Sequence, residues 1–273
     1  MTEREPNMHV HVQEGRSSSS IATELLESRR SRAHFLTGAA AAAAAFGLAP
    51  GIASAAKMSA ALDKKGLMAE SPSTILNIAA TAESAAVTAL YHVHLAVNQN
   101  RLSVDGVKVP VPTLVSIVRA ALREEQDHLA FIVGAGGKPL YTSFTFPQAI
   151  FTRAIDTLTF FEEAETVFIA AYMAATREFA NGGHGKLAQY TFQIGGTECE
   201  HRTLMRAGLG HMPANNKSFE TNLFGRVAGA ATTLERLGIF KPGLDYPGGA
   251  AVDSLLATTV SRDRNAGVSQ RKP

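Results

Sequence analysis

Two Glu-x-x-His steps, Glu125–His128 and Glu198–His201, are the residues of this chain best suited to chemistry. In a helix, residues three apart lie about one turn from each other and project from the same face. A lone glutamate stands on the segment before each step, Glu83 before the first and Glu165 before the second. Carboxylates and imidazoles presented in this way supply six ligands around one point, enough for two metal ions bridged by carboxylates.

The surroundings of these residues strengthen the reading. At helical period each glutamate falls on an apolar stripe, not on a wet face. The stripes run Leu76, Ala80, Glu83, Val87 and Leu90, then Val118, Leu122, Glu125, Leu129 and Ile132. The third is Leu158, Phe161, Glu165, Phe168 and Tyr172, and the fourth Leu187, Ile194, Glu198, His201 and Met205. An ionised glutamate buried without a partner costs several kcal/mol or takes up a proton. Four at one level of four helices call for a shared cation. The competing reading, surface glutamates on helices whose period is misread, must hold for all four at once.

Four helices are expected to position the set, over about 70–210. The first opens at the cap Ser71-Pro72-Ser73-Thr74 and runs to about Ala96. A polar insert follows from Asn98 to Val111, whose Val104-Asp105-Gly106-Val107 could turn as a small β-hairpin. Pro112-Thr113 starts the second helix and Gly134-Ala135-Gly136-Gly137 stops it. Residues 138–148, with Phe144-Thr145-Phe146-Pro147, read as a long crossing connection to a third helix over about 150–180. Asn181-Gly182-Gly183 breaks the chain before a fourth helix ending near Ala207. The expected class is all-α: a four-helix bundle with one long crossover, a short insert and a C-terminal appendage. The appendage spans 213–260 and carries one more helix over 218–238; a disordered tail is expected over 261–273.

Composition narrows the function. The chain has 273 residues, is 45% hydrophobic and carries a net charge of +2, with no basic stripe to suit nucleic acid. Cys199 is the sole cysteine, so neither an intrachain disulfide nor a cysteine zinc site can be built; it reads as a packed thiol. Residues 1–55 read as an export signal, with Arg29-Arg30, a run of small apolar residues from Gly38 to Ile52, and Ala53-Ser54-Ala55 for cleavage. They resemble a twin-arginine signal and imply a periplasmic or extracellular protein with no stable membrane insertion once cleaved. Among the other histidines, His92 and His94 point in different directions and read as non-ligands, while His184 and His211 read as exposed. Glu124, Glu162, Glu163 and Glu178 are assigned to solvated faces.

These segments together resemble the ferritin-like superfamily, and more narrowly the exported bacterial ferritin-like domain proteins related to plant desiccation-associated proteins. Ala82-Glu83 with Tyr91, Glu125-Gln126-Asp127-His128, Glu165-Thr166-Val167 with Tyr172, and Glu198-Cys199-Glu200-His201 carry the likeness. The resemblance implies a di-iron or di-manganese centre on Glu83, Glu125, His128, Glu165, Glu198 and His201. Tyr172, Tyr91 and Asp127 are candidates to orient those ligands from behind. It also implies dioxygen or peroxide as reactants, in oxidase, peroxide-consuming or metal-handling activity, and allows a homo-oligomer. The alternative is a structural, stress-protective bundle whose metal site is non-catalytic or absent.

Overall fold

A computed structural model describes residues 70–259. Among them are six helices: α1 (Pro72–Asn98), α2 (Val111–Gly134), α3 (Ala154–Asn181), α4 (Gly185–Leu209), α5 (Val227–Arg236) and α6 (Gly249–Thr259). The chain is mostly helical, as expected of an all-α protein. The expected export signal and C-terminal tail lie outside the described residues. No helix among the described residues is long and apolar enough to cross a membrane.

Local sequence explains where the long helices begin and end. Ser71 caps α1 by accepting from the Thr74 N–H at 3.1 Å, and Pro72 takes the first helical position, where its missing N–H costs nothing. Four apolar stripes then bring the helices together. α1 packs on α2 and α3 on α4, while α1 also touches α3 and α2 touches α4. Contacts at the ends give the directions. Lys108 N–H bonds to Gly208 O where α2 starts and α4 ends, and Phe131 meets Tyr190 where α2 ends and α4 starts. Glu178, near the end of α3, accepts from Glu70 N–H just before α1, so α3 runs against α1.

The crossover between α2 and α3 travels the length of α1. Its start is pinned by Lys138 N–H on Asn77 and Leu140 N–H on Thr81, and its end packs Phe151 against His92. A 3₁₀ turn, Gln148–Phe151, precedes α3, so that helix begins at Ala154 and not near 150. The expected hairpin in the insert does not form. Val104 to Val107 make only a turn, and Ser103 bridges to Arg153 instead. A strand pair forms elsewhere: β1 (Ser143–Phe144) lies antiparallel to β2 (Leu244–Asp245).

The C-terminal residues are better tied to the helices than an appendage. Residues 218–226 are not helical, and α5 covers only the second half of the expected 218–238. Glu70 accepts from the Val227 and Ala228 N–H groups and so caps α5 from a distant part of the chain, an arrangement no local pattern announces. Buried Val227, Val252 and Leu256 join the same apolar core as the long helices. On α6, Asp253 pairs with Arg123 of α2 at 2.6 Å, though Asp253 is largely exposed and the pair adds little to stability.

Candidate metal centre

Each long helix contributes one glutamate to a single buried cluster. Glu83 on α1, Glu125 on α2 and Glu198 on α4 are 0% exposed, and Glu165 on α3 is 2% exposed. His201 is buried with them, and His128 keeps a small exposed edge. Close approach of α3 and α4 is needed here. Gly195 allows it, because a Cβ at that position would sit 3.2 Å from Cβ of Tyr172.

The ligand atoms form two overlapping groups, each within 4.8 Å internally: Glu83, Glu125, His128 and Glu198, then Glu125, Glu165, Glu198 and His201. Either group could hold a metal ion. Glu83 belongs only to the first and Glu165 only to the second, while Glu125 and Glu198 belong to both. Their oxygens divide accordingly. Glu125 turns Oε2 to His128 Nδ1 at 3.5 Å and Oε1 to His201 Nδ1 at 3.1 Å. Glu198 does the same, with Oε1 3.3 Å from His128 Nδ1 and Oε2 3.0 Å from His201 Nδ1.

This arrangement leaves hydrogen-bonding capacity unused. Buried oxygens on Glu83, Glu125, Glu165 and Glu198, together with His128 Nδ1, have no hydrogen-bond partner. Buried polar atoms normally find one, because leaving one bare costs on the order of 1–3 kcal/mol. Orphans that converge on one point, all of them oxygen or imidazole nitrogen, fit a cation that completes them.

The same crowding governs protonation in the metal-free cluster. Burial, reinforced by the charges of Glu125 and Glu198, pushes the carboxyls of Glu83 and Glu165 well above the usual range. Burial also acts to raise Glu125, but the neighbouring Glu83 carboxyl and the His128 and His201 rings outweigh it and hold that carboxyl well below. Burial would lower His128, yet Glu125 and Glu198 lift it to about 10. His201 is raised in the same way, against its burial, by Glu124, Glu125 and Glu198. Without a cation, then, the cluster favours the protonated forms of Glu83, Glu165, His128 and His201.

Two further residues touch the cluster. Tyr172 donates its hydroxyl to Glu83 Oε1, as expected of a group behind the ligands. Glu124, assigned to a solvated face, instead meets His201 Nε2 at 2.7 Å, with its side chain 40% exposed. That bond occupies the nitrogen facing away from the cluster and leaves Nδ1 for it. The signal was the acidic pair Glu124-Glu125, but only the packing of α2 on α4 shows that the first of the pair reaches across.

Other expected positions do not reach it. Tyr91 packs its ring edge on His92, and Asp127 is exposed; neither has a hydrogen bond to the cluster among the described residues. Eight residues along the helix from Glu83, Tyr91 stands about 12 Å away. Asp127 is two steps from Glu125, which turns it about 200° round the helix. Buried His94 is held neutral by burial and Arg119, which lower it to about 4, and it takes no part. His184 and His211 are exposed as expected. Glu162 and Glu178 are half-buried, Glu162 pairing with Arg206 and His211 and Glu178 with Arg177. Cys199 is half-buried with a thiol raised mainly by burial.

A narrow apolar gap approaches the cluster between α1 and α3. It is walled by Ala85, Ala86, Ala89 and Phe161, with Leu234 of α5 over it and Glu165 among its lining residues. Its free volume of about 20 Å³ is enough for about one water-sized molecule. No protein-family model, curated protein or solved structure matches the chain, so what the cluster does rests on its own residues.

Proposed function

We propose that the chain is a ferritin-like four-helix bundle that holds two first-row divalent ions, iron or manganese, for oxidase, peroxide-consuming or metal-handling chemistry. One observation carries the reading: Glu125 and Glu198 each turn one oxygen to each histidine, so two cations would share both carboxylates. Glu83 and His128 would complete one ion's ligands, and Glu165 and His201 the other's. Donors that are mostly oxygen, with one imidazole per ion, favour iron or manganese over zinc or copper. Such a pair of ions, when bound, supplies electrons in steps to dioxygen or peroxide. Glu124 keeps the His201 ring turned inward by accepting from Nε2, and Tyr172 steadies Glu83. The apolar gap at Glu165 suits a small uncharged reactant such as dioxygen. The antiparallel α1–α3 and α2–α4 pairs and the crossover along α1 support the bundle topology.

The export reading of residues 1–55 rests on their sequence alone and places the protein in the periplasm or outside the cell. A structural, stress-protective role is favoured by a different observation. The raised Glu83, Glu165, His128 and His201 let protons alone balance the cluster. Metal analysis of natively purified protein separates the two. About two iron or manganese ions per chain are expected, with oxygen or peroxide consumed when ferrous ion is added. A folded protein that neither contains nor takes up ferrous or manganous ion would overturn the metal reading. A fully loaded but inert protein would favour the structural role.

A further inference from the structure

Three segments outside the long helices converge on one cleft, well away from the carboxylate cluster. The loop after α1 supplies Arg101, the crossover supplies Phe144, Phe146, Gln148 and Phe151, and the β2 segment closes the side with Leu244. His92 on α1 also lines it. His92 lies nine residues beyond Glu83, about 13 Å further along the helix. The cleft encloses about 280 Å³, close to the lower end of small-molecule sites, roughly 300 Å³.

Its chemistry has one sign. Among the described residues that line it, Arg101 carries a charge and none is an aspartate or glutamate. Arg101 Nε donates to Gln99 Oε1 at 2.7 Å, which steadies the guanidinium and leaves its terminal nitrogens for a ligand. Burial and the nearby Arg101 lower His92, so it adds a neutral imidazole and not a second cation. The remaining wall is aromatic: Phe146 stands edge-on to Phe151 with ring centres 6.2 Å apart, and His92 stands 6.1 Å from Phe151.

The wall is also built in advance. Phe144 pairs with Leu244 across the short sheet, and Thr145 Oγ1 donates to Pro242 O at 2.9 Å. Gly243 is pressed so closely on the crossover that a Cβ there would run into the Phe144 carbonyl. A cleft that needs no ordering loses less of its binding energy on occupation. An inorganic anion would leave the aromatic wall unused, and a neutral ring would leave Arg101 unpaired.

We propose that this cleft binds a small organic anion, a planar single-ring carboxylate, with its carboxylate on Arg101 and its ring against Phe146 and Phe151. The assignment is independent of the metal reading. Calorimetric titration of the full chain with benzoate tests it, with benzyl alcohol, acetate and benzylamine as probes lacking the charge, the ring or the sign. Saturable binding of one benzoate per chain is expected, with each control at least about tenfold weaker. Arg101→Gln and Gln148→Trp alter exposed side chains, the first removing the charge and the second filling the mouth. Each should weaken benzoate at least about tenfold while leaving the thermal unfolding profile and ferrous-ion uptake unchanged. Benzoate that fails to saturate at millimolar concentration, binds no tighter than acetate or benzylamine, or ignores both substitutions overturns the proposal.

Discussion

The two halves of the carboxylate–histidine cluster carry the same motif but are supported differently. His201 is sealed, with its side chain 2% exposed, and its outer nitrogen is tied to Glu124. His128 is 11% exposed, and the residue before Glu198, which corresponds to Glu124 in the other motif, is Thr197. The Thr197 hydroxyl turns back to the Gln193 carbonyl of its own helix at 3.4 Å and offers His128 nothing. One imidazole is therefore aimed by a carboxylate and the other only by packing. A motif repeated along a chain places ligands symmetrically, while the residue beside it decides how firmly each is held.

The largest expected effect tests what the halves share. Glu125 gives one oxygen to each histidine, so Glu125→Gln should remove both ions together, and loading measured by metal analysis should fall from about two per chain to near zero. Glu83→Gln and Glu165→Gln belong to one group each and should leave about one ion. If Glu125→Gln retains a full ion, the halves are separate sites and the shared-carboxylate geometry is wrong.

Acidity should affect both halves alike. Each contains one carboxyl and one imidazole raised in the metal-free protein, Glu83 with His128 and Glu165 with His201. Each ion must compete with protons for these groups, so ferrous affinity should fall as the pH falls. Proton release should appear when the metal-free protein is loaded in a pH-stat titration. The sign for stability is opposite. The unfolded chain loses its carboxyl protons near 4.5 and its imidazole protons near 6.5, before the folded chain does. Metal-free stability from these groups is therefore present at low pH and lost as pH rises, for His128 between 6.5 and about 10. Glu125, held low, acts the other way only in acid. Urea unfolding across pH, with and without metal, should show this alkaline decline in the metal-free protein alone.

Glu124→Gln sharpens the contrast between the halves. It removes the charge that aims His201 while leaving the buried ligands in place, and should weaken one ion about 10–100-fold with the other unchanged. Two-step titration with ferrous or manganous ion reads the two affinities separately. Equal weakening of both would show that Glu124 acts through the general field and not through the ring.

The same contrast shows what was legible in the sequence and what was not. The six clustered residues were visible because helical period is local: Glu83, Glu125, Glu165 and Glu198 each repeat at three and four with apolar neighbours. Glu124 was hidden because its role depends on which helix α2 packs against. The misplaced Asp127 and Tyr91 were nearby in sequence but turned or displaced along their helices. Residues 218–226 share the polar-apolar mixture of a weak helix but stay irregular, whereas α5 begins where distant Glu70 supplies a cap. The strand pair Ser143–Phe144 with Leu244–Asp245 joins segments about a hundred residues apart, beyond any periodic signal.

The smallest expected effect concerns the remaining support of the His128 half. Tyr172 donates to Glu83, which belongs to that half alone, and its own ionisation is pushed up by burial and by Glu83. It therefore stays a neutral donor throughout the physiological range. Tyr172→Phe keeps the buried ring and removes only the hydroxyl. The loss is one hydrogen bond to a carboxylate, on the order of 1.5–3 kcal/mol when the acceptor is ionised and less when Glu83 carries its own proton. Metal binding requires the ionised form, so the cost should fall on the loaded protein more than on the empty one. The affinity of the His128 half should drop about tenfold or slightly more, and the melting temperature of the metal-free protein should move by only a few degrees. If both ions weaken equally, Tyr172 supports the helix packing rather than Glu83, and the two halves are less independent than their ligand sets imply.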